Sequence, residues 1–253
     1  MADLFYSPRL TFIRAQHYIS DFKLIVNEFV NGNPYAHIVD QDPHTGEHIH
    51  KIKFTQKLPD TLPCVLFDIA NNLRASLDQV GYAAAVASGK SNPKRTNFPF
   101  GDDAAGVDNN IDGRKVCIDC PPEIIALFRG QKPYKGGNDP LWALNRLCNT
   151  KKHSALVPVQ ISQSSILYTG DVIGMGWAPA GSGWDADKEE ITFLVTKPGV
   201  QPKITADVTI DVAIGDIETV ANRPARHVLA NMSRIVQSIL VATERESRRL
   251  FKL

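Results

Sequence analysis

Between positions 62 and 87, apolar side chains step by three and four without a break: Leu62, Leu66, Ile69, Leu73, Leu77, Val80, Ala84 and Ala87. A stripe of that length on the helical period demands a long helix buried along one side. Asp60 or Thr61 stands where an N-cap is needed, Pro63 falls in the first turn, and Gly89 follows the last stripe residue. That order of residues opens and closes a helix. The stripe must be covered by other elements, so the fold follows from what the rest of the chain can supply.

Two more long helices are expected. Residues 9–30 place Tyr18, Phe22, Ile25 and Phe29 at helical spacing and stop at an Asn-Gly-Asn-Pro sequence. Residues 224–251 carry Val228, Met232, Ile235, Ile239 and Ala242 as a buried stripe, with Asn222 as the cap. Shorter helices are expected at 121–129, opened by paired prolines, and at 140–149, with Asp139 as N-cap. Trp142 with Leu144 or Leu147 anchors the second of these in the core.

Strand signals are of a different kind. Residues 36–40 and 48–54 flank Asp-Pro-His-Thr-Gly, a turn sequence, and read as a hairpin. Residues 191–196 and 204–214 alternate apolar with polar, as half-buried antiparallel strands do, and 157–161 and 166–177 add further strands. Residues 90–119 are rich in Gly, Asn, Asp and Pro without periodicity, and read as a long loop, a kind of segment that is usually functional or mobile. The resulting order is helix, hairpin, helix, two short helices, antiparallel sheet, closing helix. Alternating β-α-β units are missing, so the expectation is an α+β fold rather than a doubly wound parallel sheet. One interleaved domain is expected over 1–253. A sub-boundary near 158 would divide a mainly helical part (1–157) from an antiparallel sheet plus C-terminal helix (158–253).

With 43% hydrophobic and 22% charged residues, the chain is not a disordered one. Its 28 Lys and Arg against 27 Asp and Glu leave a net charge of +1, which gives no general pull toward nucleic acid. Apolar stretches are interrupted by Asn, Arg, Asp or Gln, so no membrane span is expected, and the N-terminus does not read as a secretory signal. The four cysteines, at 64, 117, 120 and 148, are irregularly spaced. Reduced thiols and a cytoplasmic location are the corresponding expectation. Exposed helix ends and a sheet edge leave a homodimer as an option. There is no P-loop, no Gly-rich dinucleotide turn, no GxSxG and no HExxH, and the Gly-rich residues 170–183 read as hairpin turns, so no cofactor is implied.

Several clusters carry candidate chemistry. Asn71, Arg74 and Asp78 share one face of the second helix, where Arg74 and Asp78 can pair. The ordinary reading is a surface ion pair; the functional one aims the Arg74 fork of donors into a groove to hold a carboxylate or phosphate. Residues 131–153 pack Tyr134, Lys135, Asn138, Asp139, Asn145, Asn149, Lys152 and His153 together, and Asn145, Asn149 and Lys152 fall on one helical face. The cations at its end also suit a helix C-terminus without any function. His37, His48 and His50, on the hairpin with His44 and Glu47 near its turn, are either an exposed polar face or, in the right register, three imidazoles for a metal. Cys117 and Cys120 form a lone CxxC with neither paired zinc ligands nor a βαβ setting, and read as two ordinary thiols. The run Arg245, Arg248, Arg249 and Lys252 reads as a solvated helix end, with weak phosphate contact as the alternative.

The helix sequence NNLRASLDQV resembles the NLRxxLDH helix of a family of uncharacterised bacterial proteins, and KPYKGGNDPLWALNRLCNTKKHSAL resembles that family's QPYxGG…LWxLNxLxNxDKHRxL segment. The resemblance covers about a third of the chain and implies one shared constellation: Asn72, Arg74, Asp78, Tyr134, Asn145, Asn149, Lys152 and His153. It brings no activity with it. The chain departs from the pattern at Gln79, where the family has His, at Lys151, where it has Asp, and at Ser154, where it has Arg. The family helix is in turn similar to the Arg-to-His spacing of the HEPN ribonucleases; Gln79 breaks that spacing after Arg74, while Arg146 and His153 satisfy it. The leading expectation is a ligand-binding or interaction module with a polar cluster between two helices. The rivals are a HEPN-like ribonuclease or its inactive relative, and a metal-binding protein using the hairpin histidines.

Overall fold

A computed structural model of the chain describes residues 3–149, 159–169, 184–185, 188–199, 205–215, 217–221 and 223–252. They form an α+β fold in the order α1 (Tyr6–Asn31), β1 (Tyr35–Gln41), β2 (His48–Phe54), α2 (Leu62–Ala87), α3 (Ala104–Asp108), α4 (Pro122–Gly130), α5 (Asp139–Asn149), β3 (Val159–Thr169), β4 (Trp184–Asp185), β5 (Glu190–Thr196), β6 (Thr205–Ile214) and α6 (Ala225–Phe251). A π-helical turn, Asn109–Gly113, continues directly from α3. Among the described residues no helix is long and apolar enough to cross a membrane.

The chain divides into two compact units, each assembled from separated segments. The first takes residues 1–23, 60–159 and 213–253 and is built around α2. Leu62, Leu66, Ile69, Leu73 and Leu77 are all buried, and α2 packs against α5 and α6. Each such leucine or isoleucine contributes roughly 1.5–3 kcal/mol by leaving water, so the stripe is a large favourable contribution at the centre of the bundle. Thr61 makes no side-chain cap at the start of α2. The end is a left-handed Gly89 (φ +93°), with the Lys90 N–H reaching back to the Ala85 carbonyl.

In α6 the buried set is Ala225, Val228, Leu229, Met232, Val236, Ile239, Leu240, Thr243 and Ser247, which shifts the expected stripe: Ile235 and Ala242 are only half-buried. The expected cap Asn222 lies outside the described residues. In α5 the cap is Asn138 rather than Asp139: Asn138 Oδ1 accepts the Leu141 N–H at 3.3 Å, whereas Asp139 Oδ1 accepts from Gly136 in the preceding turn. Trp142, Leu144 and Leu147 are buried as that helix requires. The buried residues of α1 are Pro8, Phe12, Ala15, Ile19, Phe22 and Phe29, with Tyr18 and Ile25 half-buried beside them.

Residues 90–119 are not a featureless loop. Asp103 caps α3 by accepting the Gly106 N–H at 2.7 Å, and Asp119 accepts the N–H groups of Lys94 and Arg95 at 2.9 Å each. These side-chain bonds join scattered backbone bonds, such as Asn97 N–H to the Val116 carbonyl and Asp119 N–H to the Arg95 carbonyl, so no periodicity marks the order. The segment lies tight on α2, because a Cβ added to Gly81 would stand 2.3 Å from the Thr96 carbonyl oxygen.

The second unit takes residues 24–59 and 160–212. Its four-stranded sheet has the order β1-β2-β5-β4 and is antiparallel throughout; β3 pairs separately with β6. The β1–β2 hairpin turns as expected, with Asp42 Oδ1 accepting the N–H groups of His44 and Thr45 and Gly46 taking the left-handed conformation. Strand β3 is continuous over 159–169, joining parts of the 157–161 and 166–177 stretches where two separate strands were expected; 157–158 and 170–183 lie outside the described residues.

Candidate functional site

The first unit holds an open cleft of about 550 Å³ between α2, α5 and the 97–116 segment. Helix α2 contributes Arg74, one face away from its buried leucines, and α5 contributes Asn145 and Asn149, one turn apart. The Arg74 Nη1 donates to Asn145 Oδ1 at 2.6 Å and to Asn149 Oδ1 at 2.9 Å. Asn149 Nδ2 donates in turn to Asn145 Oδ1 at 2.9 Å. Beneath the guanidinium lies the Phe100 ring, 5.2 Å from its central carbon. An Arg seated over an aromatic ring and fixed at one nitrogen keeps its remaining donors in a defined direction.

The expected Arg74–Asp78 ion pair is not the arrangement found. Arg74 turns to the two asparagines, and Asp78 Oδ1 accepts the Phe98 N–H at 2.8 Å. Burial pushes the Asp78 carboxyl above its ordinary value, partly offset by that N–H and by the nearby Arg74 charge. Asp78 thus pins the 97–116 segment onto α2, and does not face the cleft.

The opposite wall comes from the segment read as a loop. Asn97, Phe98, Asp102, Asn109, Asn110 and Arg114 all line the cleft, and none of them stood among the expected site residues. The only sequence signal for them was the density of Asn, Asp and Gly in a long stretch without periodicity. The two carboxylates are engaged: Asp103 with the α3 N-terminus, Asp102 with the Trp142 indole N–H at 3.4 Å. Asn110 Nδ2 is spent on the Phe100 carbonyl at 2.6 Å. Arg114 is exposed at the rim.

The constellation implied by the family resemblance is therefore brought together in part. Arg74, Asn145 and Asn149 meet. Asn72 does not join them: its amide donates to the Asp68 carbonyl, and it lines a different groove with Leu10, Thr11, Arg14 and His17. Asn71 likewise spends its amide locally, on the Phe67 carbonyl. Tyr134 belongs to the turn before α5, where its carbonyl accepts from Gly137 and Asn138 and its ring crowds Gly137. Lys151, Lys152, His153 and Ser154 lie outside the described residues. Gln79 faces α1, accepting from the Thr11 hydroxyl at 2.8 Å and the Ser7 hydroxyl at 3.1 Å. Arg146 is exposed, its guanidinium 5.6 Å from the Trp142 ring centre.

In the second unit, register settles the hairpin histidines. His37 pairs with Ile52 and Val39 with His50, so His37 and His50 are diagonal neighbours on one face. Their rings stack at 5.4 Å, and His37 Nε2 lies 3.2 Å from His50 Nδ1. His50 is buried, not exposed, and burial lowers its pKa, with the His37 and His48 charges acting the same way. Among the described residues no set of three or more His, Cys, Asp or Glu side chains is grouped as a metal cage.

Cys117 and Cys120 are both buried, and burial pushes their thiols up to about 11 and about 12. Of the basic run, Arg248 is paired with Glu244 and Arg249 with Glu246. No family model, no curated protein and no solved structure matches the chain.

Proposed function

We propose that the protein is a binding module whose cleft beside Arg74 takes a small oxyanionic ligand, a carboxylate or a phosphate. One observation carries the reading: the Arg74 charge stands in an open cleft and, among the described residues, hydrogen-bonds two neutral amides and no carboxylate. A cation placed this way has donors left over, and an oxyanion is the group whose geometry matches a guanidinium edge. The ledger of the walls agrees. Asp102 and Asp103 are occupied by protein N–H groups, whereas Arg114 brings a second positive charge to the same cleft. The described lining residues include no Ser, Thr, Cys, His, Lys or Tyr, which favours holding a ligand over covalent chemistry on it.

Thermal unfolding in the presence of inorganic phosphate, sulfate, citrate or acetate tests this. A ligand that binds only the folded chain raises its unfolding temperature in a concentration-dependent way. The expected result is stabilisation by at least one of these anions beyond that of chloride at matched ionic strength, abolished in Arg74→Gln. Equal responses in the two proteins would remove the reading.

A further inference from the structure

We propose that His37 and His50 form a chelating site for a divalent cation of the zinc class on the β1–β2 hairpin, separate from the Arg74 cleft and independent of it. The geometry is that of a bite. With metal–imidazole bonds of about 2.1 Å, nitrogens 3.2 Å apart subtend an angle of about 100° at a shared ion, close to tetrahedral. His37 Nε2 and His50 Nδ1 lie within direct hydrogen-bonding distance, so an ion bound by both lone pairs replaces the proton shared between them after a small turn of the exposed His37 ring.

The second ring nitrogen of His50 is accounted for as well. His50 Nε2 lies 3.4 Å from the Thr196 hydroxyl on β5. An Nε2–H donated there leaves Nδ1 as the lone-pair nitrogen, which is how an outer hydrogen bond prepares an imidazole for a metal. Phe193 covers the pair from one side, its ring centre 5.4 Å from that of His37 and 6.2 Å from that of His50. His37 is exposed, so an ion has a path in. His48 stands two positions before His50 on the same strand face, opposite Thr196, but is not grouped with the pair, so water completes the coordination. Nitrogen ligands of this type select zinc, copper or nickel over calcium or magnesium. The β-bulge between His50 and Lys51 lies beside the site, where a bulge re-aims a side chain.

A plain N–H···N hydrogen bond between the rings would show the same separation, and metal titration separates the two. The full chain is titrated with Zn²⁺ by calorimetry, and with Co²⁺ while its visible absorption is followed. One equivalent is expected to bind, with His37→Gln weakening binding on the order of tenfold or more. His37 is exposed, so that variant keeps its fold, which circular dichroism verifies; His50→Gln serves as the second variant. No binding, or binding unchanged in His37→Gln, overturns the proposal, the latter because the ion is then held elsewhere. Arg74→Gln is expected to bind the metal as the wild type does.

Discussion

The Arg74 Nη1 lies 2.6 Å from Asn145 Oδ1, a contact made across 71 positions of sequence. It joins α2 and α5, which also pack through buried leucines. A guanidinium hydrogen-bonded to neutral amides is available to a ligand, and converting one of those acceptors to an anion should reduce that availability. Asn145→Asp is therefore predicted to fold normally and to bind the cleft's oxyanion about tenfold more weakly, ~1.4 kcal/mol. Calorimetric titration of both proteins with the stabilising anion checks this. Unchanged affinity would mean that Arg74 does not hold the ligand.

Asp78 makes a pH-dependent prediction. Its folded carboxyl titrates above the ordinary 3.8 because it is buried, with the Phe98 N–H and Arg74 only partly offsetting that. Between the ordinary and the raised value the folded chain binds more protons than the unfolded one, so this group's stability contribution falls as pH rises through that window. Asp78→Asn keeps an oxygen for the Phe98 N–H and carries no charge. Urea unfolding across acid to neutral pH should show the variant gaining on the wild type as pH rises. Parallel pH curves would show that burial of the carboxylate carries no penalty.

Gly81 sits within α2, where alanine would normally favour the helix by ~1 kcal/mol. Here a Cβ would meet the Thr96 carbonyl oxygen at 2.3 Å, a backbone atom that cannot rotate away. Steric conflict should win, and Gly81→Ala is predicted to lose roughly 1–3 kcal/mol in denaturant unfolding. A stabilised variant would contradict the close seating of the 90–119 segment on α2.

The parts of this fold that were legible in the sequence are those with a period. The α2 stripe from Leu62 to Ala84 was read correctly because burial on one side of a helix writes itself every three or four residues. Arg74, Asn145 and Asn149 were found because they share helix faces beside such stripes. Asn97, Phe100, Asp102 and Arg114 were missed because their segment is held by scattered backbone and side-chain-to-backbone hydrogen bonds, which leave no repeat. The role of Asn138 as cap in place of Asp139 turned on one residue of phase, which spacing alone does not fix. The direction of Gln79, toward Ser7 and Thr11, depends on packing of α1 that sequence spacing does not carry.

The thiols give a direct count. Cys64 is exposed, whereas Cys117, Cys120 and Cys148 are buried, and thiols raised to about 11 and about 12 yield almost no thiolate near neutrality. Labelling with a thiol reagent at mildly alkaline pH is predicted to modify one cysteine of the native protein rapidly and all four after denaturation. Fast modification of Cys117 or Cys120 would mean that the CxxC is a reactive pair.

The most direct measurement of the central claim is the side-chain Nε–H resonance of Arg74, followed by ¹H–¹⁵N NMR during titration with inorganic phosphate and with citrate. The account predicts a saturable shift of that resonance, accompanied by the backbone amides of Gly101 and Gly106, which line the same cleft. An anion that binds while those three signals stay still, or no binding by either anion, would contradict it.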